Sequence, residues 1–183
     1  MVYMFLAPGF EEVEAMFPLD LLRRAGVEVT TVGIGGKTVT GSHGITVAVD
    51  IPDRKFRLFA LDNEIDAVIL PGGMPGTTNL DTSPIVDAAL GVAAGKGAWI
   101  CAICAAPSVL GKRGLLKGRR CTCYPGYEET LEGAAEIGGR VIRDGNIITA
   151  CGAGAAMEFG LEIVSVLTSP ETADRIRGGI QAL

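Results

Sequence analysis

Gly97-Ala98-Trp99-Ile100-Cys101-Ala102-Ile103-Cys104-Ala105-Ala106-Pro107-Ser108-Val109-Leu110 decides the reading of this chain. Ala98 to Ile103 is an apolar run without polar alternation, the pattern of a strand buried on both faces. The second half opens a helix with proline in its first turn, read as continuing over Ser108–Arg113. Cys104 falls at the junction. A cysteine at a strand-to-helix turn lies in the field of a helix N-terminus, which favours thiolate over thiol. Small neighbours leave its sulfur open to a reactant, so the junction reads as a nucleophile elbow with cysteine in place of serine. The default for a free cysteine is a small buried hydrophobe. Its place at a strand end favours reactivity over that default.

The alternation of apolar runs with amphipathic stretches continues on either side of this segment. Strands are predicted at Val2–Ala7, Val27–Ile34, Ala67–Leu70, Arg120–Cys123 and Ile147–Ala150. Helices are predicted at Glu11–Ala25 (closed by Gly26), Pro84–Ala94, Ala156–Leu167 and Pro170–Ile180. Thr38–Thr40 and Ile45–Val49 read as a hairpin around Gly41-Ser42-His43-Gly44. Unalternated strands separated by helices predict an α/β fold, a mostly parallel sheet covered on both faces. Such sheets bind ligands beyond the carboxyl ends of their strands. Pro8-Gly9, Pro71-Gly72-Gly73, Cys104 and Cys151-Gly152 all stand at such ends. The 183 residues suffice for a sizeable core, and no linker, repeat or low-complexity segment divides them. One domain over 1–183 is expected.

A net charge of −5 with no basic stripe argues against nonspecific binding to nucleic acid or to an anionic membrane. No apolar run reaches the length of a membrane span. No basic segment precedes the apolar Met1–Leu6, and Glu11, Glu12 and Glu14 follow, so a signal peptide is not expected. Five cysteines, an odd number, then read as reduced thiols in a cytoplasm.

The remaining chemical groups have ordinary readings beside functional ones. Glu11-Glu12-Val13-Glu14 opens a helix, and acidic residues there complement the dipole. Glu14 also lies beside an apolar face marked by Val13, Met16, Phe17 and Leu21. A carboxyl buried there would have a raised pKa and could exchange a proton with a thiolate or a substrate. Spacing alone favours the dipole reading. Pro71-Gly72-Gly73-Met74-Pro75-Gly76 is a tight turn whose bare amides, with that of Ala105, suit a developing oxyanion. It lacks the Gly-Lys-Ser/Thr of a phosphate loop. His43 is the single histidine, in a hairpin turn. A Cys-His dyad would need it to reach across the site or from another subunit, and a solvated turn histidine is the default. Cys101, inside the strand, reads as a structural thiol. Cys121 and Cys123 share a strand face, with no second C-x-x-C or histidine pair to make a zinc site.

Three stretches in the right order, Leu6-Ala7-Pro8-Gly9-Phe10-Glu11-Glu12-Val13-Glu14, Leu70-Pro71-Gly72-Gly73 and Ala102-Ile103-Cys104-Ala105-Ala106-Pro107, resemble motifs of the ThiJ/PfpI family. The closest branch holds bacterial YajL and the parkinsonism-associated protein deglycase. Arg23-Arg24-Ala25-Gly26-Val27 and Glu158-Phe159-Gly160-Leu161 also fit, so the resemblance runs over essentially the whole chain. It implies a flavodoxin-like three-layer sandwich of the class I glutamine amidotransferase-like kind, assembled as a homodimer. It implies a reactive Cys104, a protonated Glu14 hydrogen-bonded to it, and an oxyanion site from the amides of Gly73 and Ala105. It implies neither cofactor nor metal. Tyr124, Cys151 and Arg24 are expected around the pocket.

Three departures qualify the resemblance. Tyr124, in Thr122-Cys123-Tyr124-Pro125, stands where some members carry a histidine, and a phenol titrates too high to be an easy base. His43 replaces an arginine of close relatives, in a hairpin that the family's dimer brings near the partner's site, where it could act in trans. The family's Gly-Pro-Gly is Gly152-Ala153-Gly154 here, preceded by Cys151, which puts a second thiol near the pocket rim. The function expected is a cysteine-dependent, cofactor-free enzyme of carbonyl stress. It would act on small α-oxoaldehydes or on glycated protein, as a glyoxalase III or a deglycase. The alternative is a redox-sensing stress protein and chaperone in which Cys104 becomes a sulfinate held by Glu14. A peptidase is disfavoured by Tyr124.

Overall fold

A computed structural model describes residues 1–59 and 65–182. The chain runs β1 (Val2–Leu6), α1 (Glu12–Arg24), β2 (Val29–Gly33), β3 (Thr38–Thr40), β4 (Thr46–Ala48), β5 (Ile51–Pro52) and α2 (Asp53–Phe59). It continues through β6 (Ala67–Leu70), α3 (Gly76–Asp81), α4 (Pro84–Lys96), β7 (Trp99–Ile103) and α5 (Pro107–Gly111). The last part holds β8 (Arg120–Cys121), β9 (Glu136–Ile137), β10 (Val141–Asp144), β11 (Ile147–Ala150), α6 (Ala156–Leu167) and α7 (Pro170–Gly179).

Seven strands form one sheet in the order β10-β11-β7-β6-β1-β2-β5. All its pairings are parallel except β10 against β11. Successive side chains of a strand point to opposite faces, and here both faces are apolar. Val2, Met4 and Leu6 of β1 join one core with α1, α6 and α7, while Tyr3 and Phe5 join the other with α2 to α5. Cys101 and Ile103 of β7 belong to the first core, Ile100 and Ala102 to the second. Burial on both sides is why these strands read as unbroken apolar runs. Each large side chain so buried contributes about 1.5–3 kcal/mol.

The sheet order places the site. From β1 the chain moves to β2 on one side, then returns as β6 on the other side of β1. The loops leaving β1 and β6 therefore diverge, and a crevice opens between them at the carboxyl edge. Helix α1 is held over that crevice by α6. Gly160 of α6 faces α1 so closely that an added Cβ would lie 2.9 Å from the Cα of Pro18 and 2.8 Å from Cδ1 of Leu21.

Several boundaries differ from those expected. The elbow helix stops at Gly111 rather than Arg113, and β8 pairs over Arg120–Cys121 only, alongside β9. Beyond it Thr122 N–H turns to Thr149 Oγ1 at 2.9 Å, so Cys121 and Cys123 are buried without sharing a strand. The antiparallel edge strand β10 and the short helices α2 and α3 were not expected. No helix among the described residues is long and apolar enough to cross a membrane.

Alanine is the better helix former by about 1 kcal/mol, yet Gly160→Ala should destabilise the protein by about 1–3 kcal/mol through overpacking against α1. Urea denaturation checks this, and a stabilised variant would refute the close approach.

Candidate active site

The segments that follow β1, β6, β7 and β11 supply the site. Cys104 follows β7 with φ at 65°, one of two non-glycine residues at positive φ among the described residues. Its N–H still donates to Ala150 O at 2.8 Å, but the next residues turn away into α5. A left-handed non-glycine residue costs about 1–3 kcal/mol and persists where the surroundings fix it. Here Tyr124 N–H binds the Cys104 carbonyl at 2.8 Å. The elbow expected from the sequence is therefore present.

The loop after β6 brings Gly72 and Gly73 beneath the sulfur. The amides of Ala105 and Gly73 are directed at Cys104 and favour its charged form. Glu14, in the first turns of α1, is 1% exposed. Its carboxyl shares a hydrogen bond with Cys104 and accepts from the amides of Gly72, at 2.9 Å, and Ala153. The structure thus brings Cys104, Glu14, Gly73 and Ala105 together, and adds Gly72 and Ala153.

Electrostatics at the pair differ from the sequence expectation. Burial first, then the neighbouring Glu14 charge, pushes the Cys104 thiol up to about 12. The field of the five-residue α5 does not hold it down. Burial, together with the nearby Glu11 charge, pushes the Glu14 carboxyl up to about 7 against the hydrogen bonds that favour its ionisation. The two groups therefore titrate as a unit that holds one negative charge above neutral pH. Moving the thiol proton to the carboxylate makes the nucleophile without changing that charge.

His43 is tied elsewhere. Its ring Nδ1 lies 2.9 Å from Glu12 Oε2, and its N–H donates to Glu12 Oε1 at 2.8 Å, joined by Ile45 N–H at 3.3 Å. Burial alone would raise the Glu12 carboxyl, but the hydrogen bonds from His43 and Ile45 hold it down to about 2. The same contact raises the His43 imidazole. The solvated turn histidine is thus half of a clamp that pins the β3–β4 hairpin to α1. Glu11, Glu12 and His43 offer ligand atoms within 4.8 Å of one another. The Glu12 oxygens are already taken by these N–H groups.

Tyr124 and Cys151 do border the elbow. The Tyr124 ring lies against Gly152, 3.3 Å from where a Cβ would stand, and Cys151 follows β11 directly. Arg24 does not border it. Glu14 stands in the first turn of α1 and Arg24 at its last residue, about 15 Å further along the axis. There it pairs with Asp20 at 2.6 Å, so it is corrected from pocket neighbour to surface ion pair.

Comparison with known proteins agrees with this fold. A family model described as the DJ-1/PfpI family matches residues 1–166. Protein dj-1beta of Drosophila melanogaster is 38% identical over 178 residues, covering 96% of this chain and 93% of its own. A deglycase of Pyrococcus abyssi is 31% identical over 169 residues, covering 91% and 98%. The structure of an oxidised DJ-1 from Toxoplasma gondii superposes with a TM-score of 0.91 at 32% identity, over 98% of this chain and 97% of that one.

Alkylation of Cys104 by iodoacetamide, followed by peptide mass mapping, should speed up as pH rises through about 7, where the pair first ionises. Glu14→Gln removes both the group that titrates at about 7 and the charge that raises the thiol. The break at about 7 should therefore vanish, and alkylation above it should keep rising with pH and overtake the wild type. An unchanged profile in the variant would mean that the carboxyl does not govern the thiol.

Proposed function

The chain belongs to the DJ-1/PfpI family, and from that premise we propose a cofactor-free enzyme of carbonyl stress that acts on small α-oxoaldehydes or their protein adducts. The hydrogen-bonded Cys104–Glu14 pair carries the reading. A stress-related function is also what the family's deglycase-named relative supports.

For methylglyoxal the steps balance without any redox partner. The Cys104 proton passes to Glu14, and the thiolate sulfur bonds to the aldehyde carbon. The carbonyl oxygen takes the negative charge beside the Gly73 and Ala105 amides, then the Glu14 proton, giving a hemithioacetal. The Glu14 carboxylate next removes the hydrogen from that carbon, forming an enediolate, and returns it to the neighbouring carbon, while the hydroxyl proton on the first oxygen passes to the second. The product is a thioester of the hydroxyacid. Water cleaves it, releasing lactate and restoring the thiol. Glycated protein would enter through the same attack of sulfur on the sugar-derived carbonyl carbon.

The working form is a homodimer built on α1 and the hairpin, in a cytoplasm. Val13 and Phe17, one turn apart on α1, and Ile45 beside the hairpin turn are exposed large hydrophobics. Such a patch on one side of a small protein suits association. A partner seated there would lie near His43, which is the arrangement an action in trans needs. A second reading, redox sensing through a Cys104 sulfinate, is favoured by the carboxyl beside the sulfur and by the oxidised relative.

Steady conversion of methylglyoxal to lactate is expected, abolished in Cys104→Ala and reduced by about 10²–10⁴ in Glu14→Gln. Consumption of one thiol per chain without turnover would leave the redox reading. Light scattering should give twice the chain mass, falling to the monomer in Phe17→Arg, and a monomeric wild type would remove the dimer.

A further inference from the structure

Five cysteines are free, and only Cys104 and Cys151 are more than marginally exposed. They are also neighbours across the sheet. Strands β7 and β11 are parallel, with Ile100 opposite Ile147 and Ile103 opposite Ala150. One step further along each strand stand Cys104 and Cys151. The ladder persists to this point, because Cys104 N–H donates to Ala150 O at 2.8 Å. Adjacent strands lie about 4.8 Å apart, within the Cα separation of about 4.4–6.8 Å that a disulfide spans.

Strict alternation would send both side chains to the face opposite Ile103 and Ala150. Instead both cysteines pack against the same core as Ile103 and Ala150. Cys104 reaches it through its left-handed backbone, and Cys151 at the turn into Gly152. Two further contacts join their surroundings. Glu14 touches Cys104 and accepts from the amide of Ala153, two residues past Cys151. The Tyr124 amide holds the Cys104 carbonyl while its ring lies against Gly152. Cys101, the other thiol of the C-x-x-C, is fully buried within β7 and takes no part.

We propose that Cys151 is a resolving thiol for Cys104, so that a hydroperoxide converts the pair into a reversible intramolecular disulfide. The proposal rests on Cys104 being the reactive thiol of the preceding reading. The Cys104 thiolate attacks the near oxygen of the peroxide. Its sulfur gains that oxygen and loses two electrons, the O–O bond breaks, and the leaving oxygen takes a proton as alcohol or water. Cys151 sulfur then bonds to the sulfenic sulfur of Cys104. The hydroxyl departs as water with the Cys151 proton. An external dithiol reverses the bond by exchange. While the disulfide stands, Cys104 cannot attack a carbonyl, and it is spared irreversible oxidation.

One equivalent of hydrogen peroxide added to the full-length protein, followed by intact mass and non-reducing peptide mapping, tests this. A loss of about 2 Da is expected, with the Cys104 and Cys151 peptides linked and the mass restored by dithiothreitol. In Cys151→Ser the same treatment should add about 16 Da, trapped by dimedone at Cys104, then about 32 Da. Sulfinate formed at Cys104 as fast in the wild type as in Cys151→Ser would overturn the proposal and leave the reactive-thiol reading standing. An inert Cys104 in both proteins would overturn the two together. Circular dichroism of Cys151→Ser guards against misfolding. Should that variant not fold, the linked peptides of the wild type decide alone.

Discussion

At Gly72 an added Cβ would stand 2.6 Å from the Glu14 carboxylate and 2.7 Å from the Cys104 Cβ. Strand β6, helix α1 and the elbow after β7 meet there with no space for a side chain. The same constraint repeats through the neighbouring loops. A Cβ on Gly73 would overlap the Glu11 amide, and one on Gly76 would lie 2.6 Å from Phe10 N. Backbone packed this closely can aim its own N–H groups at the sulfur and the carboxyl. The site is built from that contact outward, since it fixes how near Glu14 comes to Cys104.

That nearness also explains why a charged nucleophile is not simply waiting at the elbow. A helix terminus is worth about 0.3–1 kcal/mol at a surface, and α5 has five residues. Removing the thiol from water and setting a carboxylate against it outweighs that field. The pair instead keeps one negative charge and one proton between two atoms. Four amides divide between them, Gly73 and Ala105 at sulfur, Gly72 and Ala153 at carboxylate. The balance of those donors decides where the proton rests.

Much of this was legible in the sequence, for reasons that can be named. The apolar run ending at Cys104 announced a two-sided strand because both its faces are indeed covered. The hairpin followed from Gly41-Ser42-His43-Gly44 between short apolar runs. Glu14 was not legible by spacing, because its burial comes from Gly72 and Cys104, 58 and 90 positions away, and only the family motif pointed to it. The Ala153 donor was hidden for the same reason. Glu12 read as an ordinary first-turn acid, yet it is 5% exposed and clasps His43. The helix α3, Gly-Thr-Thr-Asn-Leu-Asp, has weak propensity and is started by Thr77 N–H on Gly73 O and Asn79 N–H on Pro75 O. Strand β10 carries Arg143 and Asp144 and is only partly buried, so it lacked the apolar signature of its neighbours.

The donors around Cys104 and Glu14 are all main-chain amides. A point substitution can delete a histidine or an arginine, but it cannot delete an N–H unless it introduces proline. The inheritable instructions for this centre are therefore few: one thiol, one carboxyl, and the glycines kept bare beside them, Gly72, Gly73 and Gly76. Side chains around that minimum are free to drift so long as the backbone path is kept. Such a centre presents a small target to random mutation, and its margin for new chemistry lies in the rim residues, Tyr124 and Cys151 among them.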